Sequence, residues 1–252
     1  MHPGRPHRPR VGGRPTPRTM SEAIEAAGAP LRLPHVIAVD GPSASGKGTL
    51  SRRLASALGY TYVDSGAMYR TLAWWALQNQ LHCGKPMSPS DEDAIVRLMR
   101  RWKAELRLVD GQAWIHVNGY FPAKEIRTNE VEAAVPVVAQ IGKVRDWMVA
   151  RQRECVRFGP LVMEGRDIGT EVFPLAPVKF FLEADEEVRQ ARLADRGNAG
   201  SNAALRDSMD TTRKQGALYP ALDSIRVNNT GQTPDETFEI LMGHVRARLS
   251  LP

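Results

Sequence analysis

The sequence predicts an α/β fold, and two patterns carry that prediction. Short apolar, β-branched runs recur at 35–39, 60–63, 160–163, 178–182 and 225–227, separated by stretches whose apolar residues repeat at helical spacing. Runs that are apolar throughout suit strands covered on both faces, as in a parallel sheet flanked by helices. One segment breaks the rhythm. In KAELRLVDGQAWIHVNG, two alternating runs at 104–109 and 113–117 flank Asp110-Gly111, a strong short-range hairpin signal, so an antiparallel hairpin is expected there.

Taken in order, the first run enters a glycine-rich turn, after which Leu50, Leu54, Ala57 and Leu58 share one face of a helix over 47–58. The second run ends at Asp64-Ser65-Gly66 and leads into a helix expected from Met68, with Ser65 as its cap. Helical patterns at 91–103, 129–138 and 144–156 surround the hairpin. The block 65–157 is therefore expected to be an insertion between the second and third runs, forming a substrate-side subdomain. The remaining runs and helices complete a body over 35–252.

With 252 residues, 42% hydrophobic and 25% charged, the chain suffices for one large domain. Its apolar runs fall short of the ~18 residues of a spanning helix, and the N-terminus lacks the apolar stretch of a secretory signal. Cys83 and Cys155 fit neither a metal-ligand spacing nor a disulfide framework, as expected of a chain in a reducing cytoplasm. The net charge of +6 is concentrated: Arg5, Arg8, Arg10, Arg14 and Arg18 lie in an acid-free stretch of 20 residues, leaving +1 on the rest. A nearly neutral body argues against nucleic acid as a partner. The Pro-, Gly- and Arg-rich tail is expected to be disordered, with 21–34 as a link, because it has too little apolar surface to offset ordering.

The chemistry begins in the turn Gly41-Pro42-Ser43-Ala44-Ser45-Gly46-Lys47. Glycines at both ends let backbone N–H groups converge on an anion, Lys47 adds a cation, and the following helix presents its positive end. With a strand before and a helix after, this is a phosphate-binding loop. The usual metal-binding hydroxyl position after the lysine is Gly48, with Thr49 following it.

That G-x-x-x-x-G-K-G-T order resembles the loop of nucleoside-monophosphate kinases, which implies Mg²⁺ held mainly by ATP phosphates and water, with no protein metal ligands. Next, YVDSGAMYR is similar to the acceptor motif of bacterial cytidylate kinases. Alone it could be a cap and a solvated Arg70. MEGRDIGTEVFP, with Arg166 and Asp167 at a strand end, is similar to that family's signature except at Glu171, where a small apolar residue is common. The resemblance runs from about His35 to Arg248.

What the resemblance implies is a P-loop nucleoside-monophosphate kinase fold, monomeric, with a short lid over 196–216. The reaction is transfer of the γ-phosphoryl group of ATP to CMP or dCMP, with another monophosphate such as UMP as the alternative acceptor. It assigns 41–49 to ATP. To the acceptor it assigns Asp64, Ser65, Tyr69, Arg70, Arg145, Arg166, Asp167, Arg206, Asp210 and Arg213, and to transition-state charge Lys47, Arg166, Arg206 and Arg213. Arg206, Asp210 and Arg213 fall at i, i+4 and i+7, one helix face, which an exposed ion-pair ladder would also produce. Arg192 and Arg196 are weaker candidates for the ATP phosphates, and Arg127 reads as structural. The histidines, without ligand spacing, read as satisfied surface or core residues, and the tryptophans as packing. Two further departures are Pro136, where a hydroxyl near the base is usual, and Gly216-Ala217-Leu218 in place of S-P-L.

Overall fold

The computed structural model describes residues 35–195 and 203–250. The expected tail and link, the first part of the expected lid with Arg196, and the side chain of Arg206 lie outside the described residues. Within them, one seven-stranded sheet runs in the order β3-β4-β2-β5-β1-β6-β7. The strands are β1 Val36–Asp40, β2 Thr61–Asp64, β3 Ala104–Val109, β4 Gln112–Val117, β5 Leu161–Gly165, β6 Val178–Glu183 and β7 Ile225–Asn228. β2, β5, β1, β6 and β7 are mutually parallel, with Ala38 beside Met163 and Val39 beside Phe180. The β3–β4 hairpin turns at Asp110-Gly111, as its sequence predicts, and continues the main sheet through Tyr62 and Gln112.

Alternate residues of the central strands feed opposite layers, as the two-residue period of a strand requires. Ile37, Val39, Val162, Phe180 and Leu182 pack with Leu50 and Leu54 of α1 (Lys47–Leu58) and Leu241 and Val245 of α8 (Pro234–Leu249). Val36, Ala38, Val63, Leu161 and Met163 face the other layer. There they meet Met68 and Leu72 of α2 (Ser65–Gln78), Ile95 and Met99 of α3 (Pro89–Arg101), Val131 of α4 (Asn129–Val138) and Met148 of α5 (Gly142–Glu154). Burial on both faces explains why β1 and β5 read as unbroken apolar runs. α6 (Glu186–Ala194) and α7 (Ala203–Thr211) lie between β6 and β7 in the chain.

Three local expectations are corrected. α2 begins at Ser65, and its cap is Asp64, whose carboxylate accepts the Ala67 N–H at 2.8 Å. A carboxylate there meets the positive helix end better than a hydroxyl, and the Ser65 hydroxyl instead donates to the Glu164 carbonyl at 2.6 Å. The helix of 144–156 ends at Glu154 and tightens into a 3₁₀ turn over Cys155–Phe158. Finally, Arg213 does not share a helix face with Asp210: α7 stops at Thr211, and the Leu218 N–H returns to the Asp210 carbonyl at 2.9 Å, folding the chain back through Gly216 at φ +63°.

Candidate active site

Parallel strands deliver their C-terminal ends to one edge of the sheet, and there β1, β2 and β5 open onto a cleft of about 570 Å³. Its wall contains Ser43, Ala44, Gly46, Lys47, Gly48 and Thr49 on one side and Asp64, Ser65, Tyr69, Arg70, Arg145 and Asp167 on the other. Arg166, Asp210 and Arg213 also line it.

The loop is shaped from behind by the expected residues absent from that wall. A side chain at Gly41 would run into the Leu182 carbonyl of β6, so the chain can curl this tightly against the sheet only without one. The Ser45 carbonyl accepts the Asn229 amide at 2.9 Å. Lys47 is buried and donates to the Pro42 carbonyl at 2.7 Å, spanning its own loop. Burial, aided by the Arg166 charge, pulls its pKa down from 10.5 to about 7. Ser43 is held from three directions: its N–H by Asp207 at 2.9 Å, its carbonyl by Arg189 at 3.1 Å and its hydroxyl by Arg166 at 3.1 Å. Arg192 reaches the Ala44 carbonyl at 3.3 Å, which places it against the loop.

The opposite side is a set of arginine–carboxylate pairs. Arg70 meets Asp64 at 2.8 Å. Burial works to raise the Asp64 pKa, but Arg70, the Ala67 N–H and Arg127 together hold the carboxyl below its usual range. Arg145, 1% exposed, pairs with Asp167 and lies 5.8 Å from the Tyr69 ring centre. Burial nevertheless pushes the Asp167 pKa up, against Arg145 and Arg213. Arg166 donates to Asp210 at 2.8 Å, and Asp210 also receives Arg213. Gly216 packs directly on the Arg145–Asp167 pair, where any side chain would collide with both. Pro136, late in α4, contributes an apolar surface.

Sequence reasoning missed Glu164. Next to last in β5, it lies in the cleft with its carboxylate against Gly48, where an added Cβ would stand 2.9 Å from Oε1, and it accepts the Tyr62 hydroxyl. Burial raises its pKa, and the nearby Asp64 charge adds to the shift. The signal was a charged residue closing an otherwise apolar strand. Arg127, read as structural, also lines the cleft. Glu164, Asp64 and the Thr49 position supply oxygen donors of the kind that suit Mg²⁺ bound through water.

A phosphate loop with a buried lysine, facing arginines across a cleft at the strand ends, defines a P-loop phosphotransferase. A family model for cytidylate kinase matches residues 37–247. The chain is 37% identical over 223 residues to a cytidylate kinase of Geobacillus sp. (strain WCH70), covering 84% of this chain and 97% of that protein. It is 38% identical over 223 residues to the cytidylate kinase of Geobacillus kaustophilus (84% and 97%) and 39% identical over 224 residues to that of Nitratidesulfovibrio vulgaris (84% and 93%). The chain belongs to the cytidylate kinase family and is an enzyme of the nucleoside-monophosphate kinase class.

Proposed function

We propose that the chain transfers the γ-phosphoryl group of ATP to the 5′-phosphate of CMP or dCMP, acting as a cytoplasmic monomer. The observation that carries this reading is the two-sided cleft: a phosphate loop facing a wall where Arg70, Arg145 and Asp167 converge. Both substrates are anions, so the task is to neutralise and align them for in-line displacement. Loop N–H groups and Lys47 hold the ATP phosphates. Arg70 holds the acceptor phosphate, Arg166 and Arg213 stand between the two sides, and the resemblance adds Arg206. These charges stabilise the oxygens of the moving phosphoryl group. Mg²⁺, when bound, would supply charge neutralisation for the ATP phosphates, and Glu164 and Asp64 are the carboxylates that would hold it through water. At the base, the Asp167 carboxylate accepts the exocyclic amine of cytosine, and Arg145 fixes that carboxylate and faces the acceptor atoms of the ring.

Coupled ADP-release assays across CMP, dCMP, UMP, AMP and GMP, with a no-acceptor control, test the reading. CMP and dCMP should dominate. Equal turnover of UMP or AMP would reject the cytidylate assignment.

A further inference from the structure

Asp40 ends β1, one residue before the phosphate loop, yet its side chain serves the other half of the cleft. It is 4% exposed and accepts the Ile168 N–H on Oδ1 at 2.8 Å and the Gly169 N–H on Oδ2 at 2.7 Å. Those N–H groups directly follow Arg166 and Asp167 and open the π-helical turn Ile168–Val172, where no preceding turn supplies acceptors. A Cβ on Gly169 would sit 3.4 Å from Oδ2, an ordinary contact, and 3.2 Å from the Lys179 side chain, so the two lie close on either side of this backbone. Asp40 also pairs with Gly165 in the β1–β5 register, which sets its carboxylate beside the acceptor loop.

We infer that Asp40 is a positioning residue for the phosphoryl acceptor: its two oxygens fix the backbone after Asp167, so that Arg166 and Asp167 are aimed into the cleft from the root of the phosphate loop. The role rests on the acceptor assignment above. It is best served by the ionised carboxylate, because protonation leaves the hydroxyl oxygen a weaker acceptor for one of the two N–H groups. Burial raises the Asp40 pKa from 3.8 to about 7, Asp167 adds to the rise, and the two N–H bonds and Lys47 oppose it. Lys179, whose side chain lies beside Gly169, is turned away to the Pro174 carbonyl and to Asp223 at 2.8 Å. A raised carboxyl pKa means the folded state holds the proton over that window. The group's contribution to stability is therefore greatest at low pH and falls as pH rises through about 7. Acceptor affinity should move the other way, improving with pH over the same window. A residue that only supported the fold would move both together.

The experiment compares wild type with Asp40→Asn, whose amide offers one acceptor oxygen and does not titrate. Losing one charge-assisted bond should raise KM for CMP roughly 10-fold or more, with KM for ATP little changed. The pH dependence of KM for CMP around about 7 should flatten. Amide hydrogen exchange at Ile168 and Gly169 should accelerate. Unchanged KM for CMP, equal rises in both KM values, or unaltered exchange at those amides would each overturn the proposal. Accelerated exchange in the variant with a wild-type enzyme that does not phosphorylate CMP would instead reject the acceptor assignment, and the role with it. If Asp40→Asn does not fold, Asp40→Glu, which keeps the charge but shifts both oxygens relative to the Ile168 and Gly169 amides, takes its place, and the same split between CMP and ATP is expected. Its absence overturns the tie equally.

Discussion

The two walls of the cleft are built from different materials. The wall proposed to take the phosphoryl donor is main chain: six residues between β1 and α1 form a phosphate-loop curl, and the side chains that touch them mostly bond to their carbonyls. The wall proposed to take the acceptor is side chain, in which arginines from α2, α5, the end of β5 and the segment after α7 each meet a carboxylate. A main-chain site recognises what all nucleotides share, a chain of phosphates. A side-chain site can present a particular pattern of donors and acceptors to one base. Generic affinity should therefore reside in the first wall and selectivity in the second, and substitutions on each side should separate them.

The largest effect is expected from Lys47→Ala. The loop's shape depends on Gly41, Gly46 and backbone bonds, so the fold should persist, while removal of the cation proposed to act on the transferring group should lower kcat by roughly 10²-fold or more. All acceptors should suffer alike. A folded variant with near wild-type turnover, measured by ADP release, would break the donor-wall assignment, and a loss confined to one base would break the comparison itself.

On the opposite wall, Asp167→Asn keeps the shape but replaces an acceptor oxygen by an amide donor. It should lower kcat/KM for CMP about 10-fold more than for UMP, since the new donor suits the carbonyl of uracil. It also leaves Arg145 without its counter-charge while nearly fully buried. Loss of one partner of a buried pair costs ~3–5 kcal/mol, so the melting temperature should fall as well. Kinetics at a temperature where the variant is folded separate the two consequences. An unchanged ratio of CMP to UMP would remove Asp167 from base recognition.

The same difference in material explains how much could be read in advance. Contiguous sites are legible: 41–49 sits between a recognisable strand and helix, and the parallel sheet and Asp110-Gly111 hairpin follow from local pattern. The acceptor wall is assembled from separate elements, and its members were reached through resemblance to family motifs; spacing alone would have left Arg145 on an unremarkable helix. Pairings across long sequence separations were not legible. Asp40 to Ile168, Tyr62 to Glu164 and Asp207 to Ser43 join residues more than 100 positions apart. Glu164 was passed over because a carboxylate at the end of an apolar strand has no local meaning until β1, β2 and β5 lie side by side. Arg213 was misjudged for the converse reason: a regular i, i+4, i+7 pattern suggested a helix that the return of Leu218 to Asp210 ends early.

The smallest predicted effect is the uptake of at most one proton, and it tests how the phosphate loop meets its ligand. Burial first, then the Arg166 charge, lowers the Lys47 pKa to about 7, against the opposing pull of Glu164, Asp207 and Asp210. In the folded protein before nucleotide binds, the lysine therefore begins to lose its proton near neutrality, whereas in the unfolded chain it keeps it to 10.5. The cost to stability is fully present below about 7 and is relieved as pH rises towards 10.5. Polyphosphate placed beside Lys47 restores the charged form, because a nearby anion favours the ammonium. ATP binding at pH about 8 should consequently take up close to one proton, and ATP affinity should weaken as pH rises above about 7. Calorimetric titrations of ATP in two buffers of different ionisation enthalpy measure that uptake directly. Lys47→Arg, which stays charged at any accessible pH, should bind ATP with almost no uptake. Equal uptake in the variant would assign the proton to another group, and none in the wild type would mean that the lysine is charged before the nucleotide arrives. A lysine that acquires its charge only against phosphate contributes little to holding any other ligand, so on the proposed reading the loop would recognise a phosphate tail and leave discrimination between acceptors to the pairs across the cleft.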